Sequence, residues 1–150
     1  MDLLKLTALD RDDLEIVSAH MQDAVVKVSD LRFLKAKRKF VLIANRFVWQ
    51  AVHAGGRRPY ERRRSGLQFA RVQAVKALRI RPDAADSVLS LLSIGFEPAD
   101  PPSGAIVLNF SGGSTIRLDV ECIEVQLDDL GPAWETAHMP SHQGEPAGPS

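Results

Sequence analysis

The chain is poor in the residues that most often betray a function. It has one cysteine, Cys122, in 150 residues, so no disulfide can close within it. It has no run of eighteen apolar residues, which excludes a helical membrane span. The first ten residues, MDLLKLTALD, lack a basic stretch followed by a long apolar one, so a secretory leader is not expected there and a bacterial-type cytoplasmic protein is. No pair of its four histidines shares a short helical or strand spacing with a matching Cys, Asp or Glu, so no metal site is expected. Cys122 sits among Glu121 and Glu124, acidic neighbours that do not favour a nucleophilic thiolate. No serine has a G-x-S-x-G context, and Gly55-Gly56-Arg57-Arg58 lacks the spacing and the Lys-Ser/Thr end of a phosphate loop. These absences lean against an enzyme: no catalytic residue and no cofactor are assigned.

Net charge is absent too, but only as a sum. Residues 24–81 hold sixteen Lys and Arg against two acids, Asp30 and Glu61; residues 82–150 hold one Arg, Arg117, against eleven acids. Such asymmetry points either to an anionic partner or to two parts of one fold that neutralise each other.

Asp10 reads as a helix N-cap, with Asp12, Asp13 and Glu15 in the first turn, where carboxylates complement the helix dipole. Leu14, Val17 and Met21 then form one stripe, which predicts a helix over about 11–22. Residues 24–34 read as a strand whose phase switches at Ser29-Asp30, the mark of a bulge. Residues 40–50 read as its hairpin partner, a half-buried strand with Val41, Ile43, Phe47 and Trp49 on its apolar face and Asn45 as a polar gap. Strands are also expected within 67–80, and over 88–96 with Leu92, Ile94 and Phe96 on one face. Ile106, Leu108 and Phe110, then Ile116 and Leu118, alternate about the turn Ser111-Gly112-Gly113-Ser114, the clearest hairpin signal in the chain, predicted to face the core. From Val120 the apolar residues Val120, Ile123, Leu127 and Leu130 recur at helical spacing before Gly131-Pro132, which predicts a second helix with Glu121, Glu124, Asp128 and Asp129 on its solvated face. Residues 135–150, rich in Pro, Gly and Ser, read as a disordered tail. The expected fold is α+β: one domain over 1–134, a mainly antiparallel sandwich or open barrel of about seven strands with a helix near each end, similar in plan to a pleckstrin-homology domain.

The stretch AVHAGGRRPYERRRSG, residues 51–66, breaks the hydrophobic pattern and reads as a loop. Arg57, Arg58, Arg62, Arg63 and Arg64, with Tyr60 among them, make it the candidate site. Guanidinium groups form bidentate bonds to phosphate or carboxylate, and an aromatic among arginines suits stacking on bases. The sequence therefore favours a non-enzymatic binding or regulatory module that engages an anionic partner, an acidic protein or a nucleic acid. The alternatives are a dedicated RNA- or DNA-binding protein, which a near-neutral pI disfavours, and a small enzyme without a recognisable motif. His20 is expected at the helix edge, with one polar partner.

The segments MDLLKLTALDRDDLEIVSAHMQDAVV, KFVLIANRFVW, RRRSGLQFARV, VLSLLSIGFEP and IRLDVECIEVQLDDLGPAW, in this order, resemble the domain of unknown function 2948 family of uncharacterised, mainly alphaproteobacterial proteins. The resemblance spans roughly Met1 to Trp134. It implies a small bacterial cytosolic single-domain protein, and it carries over no catalytic residues.

Overall fold

The computed structural model describes residues 3–51 and 57–131. They form nine strands and one α-helix: β1 (Lys5–Ala8), α1 (Arg11–Met21), β2 (Val25–Leu34), β3 (Lys39–Ala51), β4 (Arg57–Phe69), β5 (Val72–Leu78), β6 (Val88–Pro98), β7 (Gly104–Phe110), β8 (Thr115–Val120) and β9 (Val125–Asp129). The strand order is β1-β9-β4-β3-β2-β6-β7-β8-β5. Each of these pairings is antiparallel. The sheet does not close: β1 and β5 are its edges.

The helix forms where its cap and stripe predict. Asp10 Oδ1 accepts a hydrogen bond from the Asp13 N–H at 2.8 Å, and Leu14, Val17 and Met21 are buried. That stripe lies on the sheet against β6, β1 and β3, and Ser18 Oγ on the same helix accepts a bond from the Ile94 N–H of β6. The hairpin of β7 and β8 also matches its alternation. Ile106, Leu108, Phe110, Ile116 and Leu118 are all buried, while Val107 and Asn109 stand half-buried on the opposite face. Gly112 and Gly113 take positive φ in the turn, a conformation that costs other residues energy. The bulge expected in β2 is present as a register shift between Val26 and Leu31 against β3.

Several expectations are corrected. Among the described residues there are nine strands, not seven, and the one α-helix lies near the N-terminal end. The helix expected over 120–130 is instead a corner at residues 121–124 followed by β9. The residues fit both periods: Ile123, Val125 and Leu127 alternate as well as they stack. β9 lies between β1 and β4 and bonds to both, so its backbone groups are satisfied from two sides, and burial of Ile123, Val125, Leu127 and Asp129 follows period two. With that helix gone, so is the element that would finish a pleckstrin-homology plan. In β3 the core face is Phe40, Leu42, Ala44 and Arg46, whereas Val41, Ile43 and Phe47 are the half-buried side. In β6 a register shift between Leu91 and Ser93 leaves Leu92 exposed while Leu91 and Ile94 are buried. The expected loop over 51–66 is, from Arg57 onward, strand β4; residues 52–56 and the expected tail lie outside the described residues.

Two corners carry the chain between the sheet's halves. At Ala70–Arg71 it leaves β4 for β5, and at 121–124 it leaves β8 for β9. The corners bond to each other, Ala70 N–H to the Glu124 carbonyl and Glu121 N–H to the Arg71 carbonyl. Around them Arg38 and Arg71 pair with Glu121, and Arg71 with Glu124. Basic and acidic segments thus meet and partly neutralise each other in space.

Candidate functional site

The inner face of the half-sheet β1-β9-β4-β3 can be followed in cross-strand rows. Ala8, Val125, Phe69 and Phe40 form one row; Leu6, Leu127, Leu67 and Leu42 form the next. The third row changes character. Asp129, Ser65 and Ala44 are aligned there, and beyond them Arg63 faces Arg46, then Glu61 faces Val48. The same alternation that builds the core therefore delivers polar side chains to its end.

Asp129 is the centre of that polar end, with its side chain fully buried. Arg46 donates from Nε to Oδ1 at 2.8 Å and from Nη2 to Oδ2 at 2.7 Å, a bidentate pair. Ser65 Oγ donates to Oδ1 at 2.7 Å, the Leu4 N–H to Oδ2 at 2.9 Å, and Arg63 Nη1 to Oδ2 at 3.4 Å. Burial pushes this carboxyl up, but the bonds from Arg46, Ser65 and Leu4, with the Arg46 charge, more than offset it and hold the pKa down to about 2. Arg63 also donates from Nε to Glu61, and this bond raises its already high pKa. A buried carboxylate this well bonded stays ionised.

Beside the cluster is a cavity of about 450 Å³. Leu3, Leu4, Ala19, Phe47 and Val48 line it together with His20, Arg46 and Arg63. His20 is half-buried. Burial, then the Arg46 charge, lower its pKa below 6.5, against a smaller upward pull from Asp129. The environment therefore favours the neutral imidazole.

The arginines expected on a loop lie on β4. Arg57 is in register with Ala51 and Arg58 with Gln50, while Tyr60 is the residue skipped where the register shifts. Arg62 is exposed opposite Phe47, and Arg64 is half-buried opposite Asn45. Of Arg62, Arg63 and Arg64, whose side chains are described, Arg63 reaches the buried cluster. Sequence reading missed Arg46, Ser65, Asp129 and the placement of His20 on the cavity. Asp129, expected on a solvated helix face, is buried in a strand. The signal was a charge at the end of an apolar alternation: Arg46 after Phe40, Leu42 and Ala44, and Asp129 after Ile123, Val125 and Leu127. His53, His138 and His142 lie outside the described residues, and Cys122 is a half-buried free thiol. Among the described residues no three His, Cys, Asp or Glu side chains gather as a metal would need, and no helix is long and apolar enough to cross a membrane.

The family model described as "Protein of unknown function (DUF2948)" matches residues 4–142. The chain belongs to that family. Neither a curated protein nor a solved structure matches it.

Proposed function

We propose that the protein is a non-enzymatic binding or regulatory module of the bacterial cytoplasm that engages an anionic partner through the arginines of β4. One observation carries this reading. β4 pairs with β9 only over Ser65–Phe69, and the last β3 residue in register with β2 is Asn45. Yet β3 and β4 stay paired out to Ala51 and Arg57. The hairpin beyond Asn45 and Arg64 is therefore a two-stranded ribbon that runs past its neighbouring strands, and Arg57, Arg58 and Arg62 lie along it, with Tyr60 at its register shift. Arg64 stands at its base. Arg63 turns to Glu61 and Asp129, so its part is to anchor the ribbon while the others meet the partner.

A second reading, nucleic-acid binding, draws on the ribbon itself, because a two-stranded β-ribbon fits the major groove of DNA. The pairing of acidic with basic segments at the corners favours a contact confined to the ribbon over a broad basic face. The test compares the parent with a variant carrying Arg57→Ser, Arg58→Ser, Arg62→Ser and Arg64→Ser, leaving Arg63 in place. Polyglutamate, single-stranded oligonucleotides and DNA duplexes of graded length serve as probes. Salt-dependent binding that disappears in the variant supports the reading; the parent's slope should be about −0.9 per phosphate contact for duplexes and about −0.7 for single strands. Dependence on oligonucleotide length selects nucleic acid. Equal binding by parent and folded variant refutes the role of the arginines.

A further inference from the structure

The cavity beside Asp129 joins basic side chains to hydrocarbon walls. We infer that it is a binding site for a small carboxylate with an apolar tail, seated against the Arg46 guanidinium between His20 and Arg63. This inference does not depend on a partner meeting the ribbon's outer arginines.

The ionisable residues lining the cavity, among those described, are all basic: His20, Arg46 and Arg63. The carboxylates that balance them, Asp129 and Glu61, are not in its lining. Asp129 engages Arg46 through Nε and Nη2. No hydrogen bond from Nη1 to a described residue accompanies that pair. A guanidinium has five donors in a fixed fork, so one edge is committed to Asp129 and the other is left to meet an acceptor in the cavity. Arg46 is also held rigidly, since its side chain is 6 % exposed and clamped by a bidentate pair. An anion binding there would not have to order it first. The remaining walls, Leu3, Leu4, Phe47 and Val48, offer hydrocarbon, which a bare phosphate or chloride would not use. A volume of about 450 Å³ exceeds what a carboxylate group alone would fill and lies in the range of small-molecule pockets.

Octanoate and phenylpropanoate, each compared with its neutral amide, are titrated into the full-length protein by calorimetry, and His20 is followed by imidazole NMR. Each acid should bind more tightly than its amide by about tenfold or more, the scale of a hydrogen bond to a charged group, and should shift the His20 signals. Ala19 is an exposed wall residue, so Ala19→Trp should block the cavity while leaving the melting temperature near the parent's, and should abolish both effects. The double variant Arg46→Gln, Asp129→Asn, which removes the pair without stranding a buried charge, should erase the preference for acid over amide. Acids that bind no better than amides, or that bind Ala19→Trp as well as the parent, overturn the inference. If the double variant does not fold, the Ala19→Trp comparison decides alone.

Discussion

Two hairpins use one pairing scheme for opposite ends. In β7–β8 the inner face is Ile106, Leu108 and Phe110 against Ile116 and Leu118, all buried, and the hairpin lies within the sheet, flanked by β6 and β5. In β3–β4 the same alternation starts with Phe40, Leu42, Leu67 and Phe69 and ends with Arg46, Arg63 and Glu61, after which the strands continue without a flanking strand among the described residues. The first hairpin is all core. The second is core at its base, a charged cluster at its middle and a basic ribbon beyond. Burial holds the first together and hydrogen-bonded charge holds the middle of the second, so the two should fail differently.

The comparison is broken most severely by Asp129→Ala. It strands the buried Arg46 charge, and urea unfolding should show a loss of about 3–5 kcal/mol. A loss under about 1 kcal/mol would mean that the cluster contributes little beyond what surface pairs do. Leu108→Ala, the counterpart in the apolar hairpin, should cost about 3 kcal/mol through lost burial and the cavity left behind; a mutant as stable as the parent would refute its core position.

Acid should separate the two regions next. Asp129 has a folded pKa of about 2, below the ordinary 3.8. Its ionisation therefore contributes stability that is full above the unfolded pKa and is lost as pH falls through the folded one. The loss should reach about 2 kcal/mol between about pH 4 and about pH 2. Denaturation across that window should show the slope in Leu108→Ala but a reduced one in Asp129→Asn.

His20 acts at higher pH and more weakly. Its folded pKa lies below 6.5, so the unfolded chain takes up the proton first. Stability should fall as pH drops through 6.5, and His20→Gln should flatten that part of the profile. The smallest effect belongs to the ribbon. Arg62 is exposed, so Arg62→Ser should change stability by no more than about 0.5 kcal/mol. A larger loss in a thermal melt would show that the ribbon's outer face is structural and would weaken its case as a contact surface.

How far the sequence could be read follows from where each element's information sits. The first helix carried its own: the Asp10 cap and the stripe of Leu14, Val17 and Met21 are local. So did the β7–β8 hairpin, whose turn glycines and alternation fix both its register and its buried face. The segment 51–66 misled because Gly, Pro and Arg are poor strand markers, yet β3 pairs with β4 from Arg57 to Phe69 with Tyr60 alone skipped. In β6 a bulge shifted the phase, and a bulge depends on the partner strand.

By itself, then, the sequence determined that this is a mainly antiparallel α+β protein with an N-terminal helix, a buried β7–β8 hairpin and charge divided by region. Those properties come from spacing and composition over a few neighbouring residues. Only the tertiary structure decided that 125–129 is a strand, because its period fits helix and strand equally and the gap between β1 and β4 makes the choice. Only the tertiary structure, likewise, joined Arg46 to Asp129 and set His20 over the same cavity. These residues are far apart in the chain, and a buried charge is stable only with a partner that the chain must fold to supply.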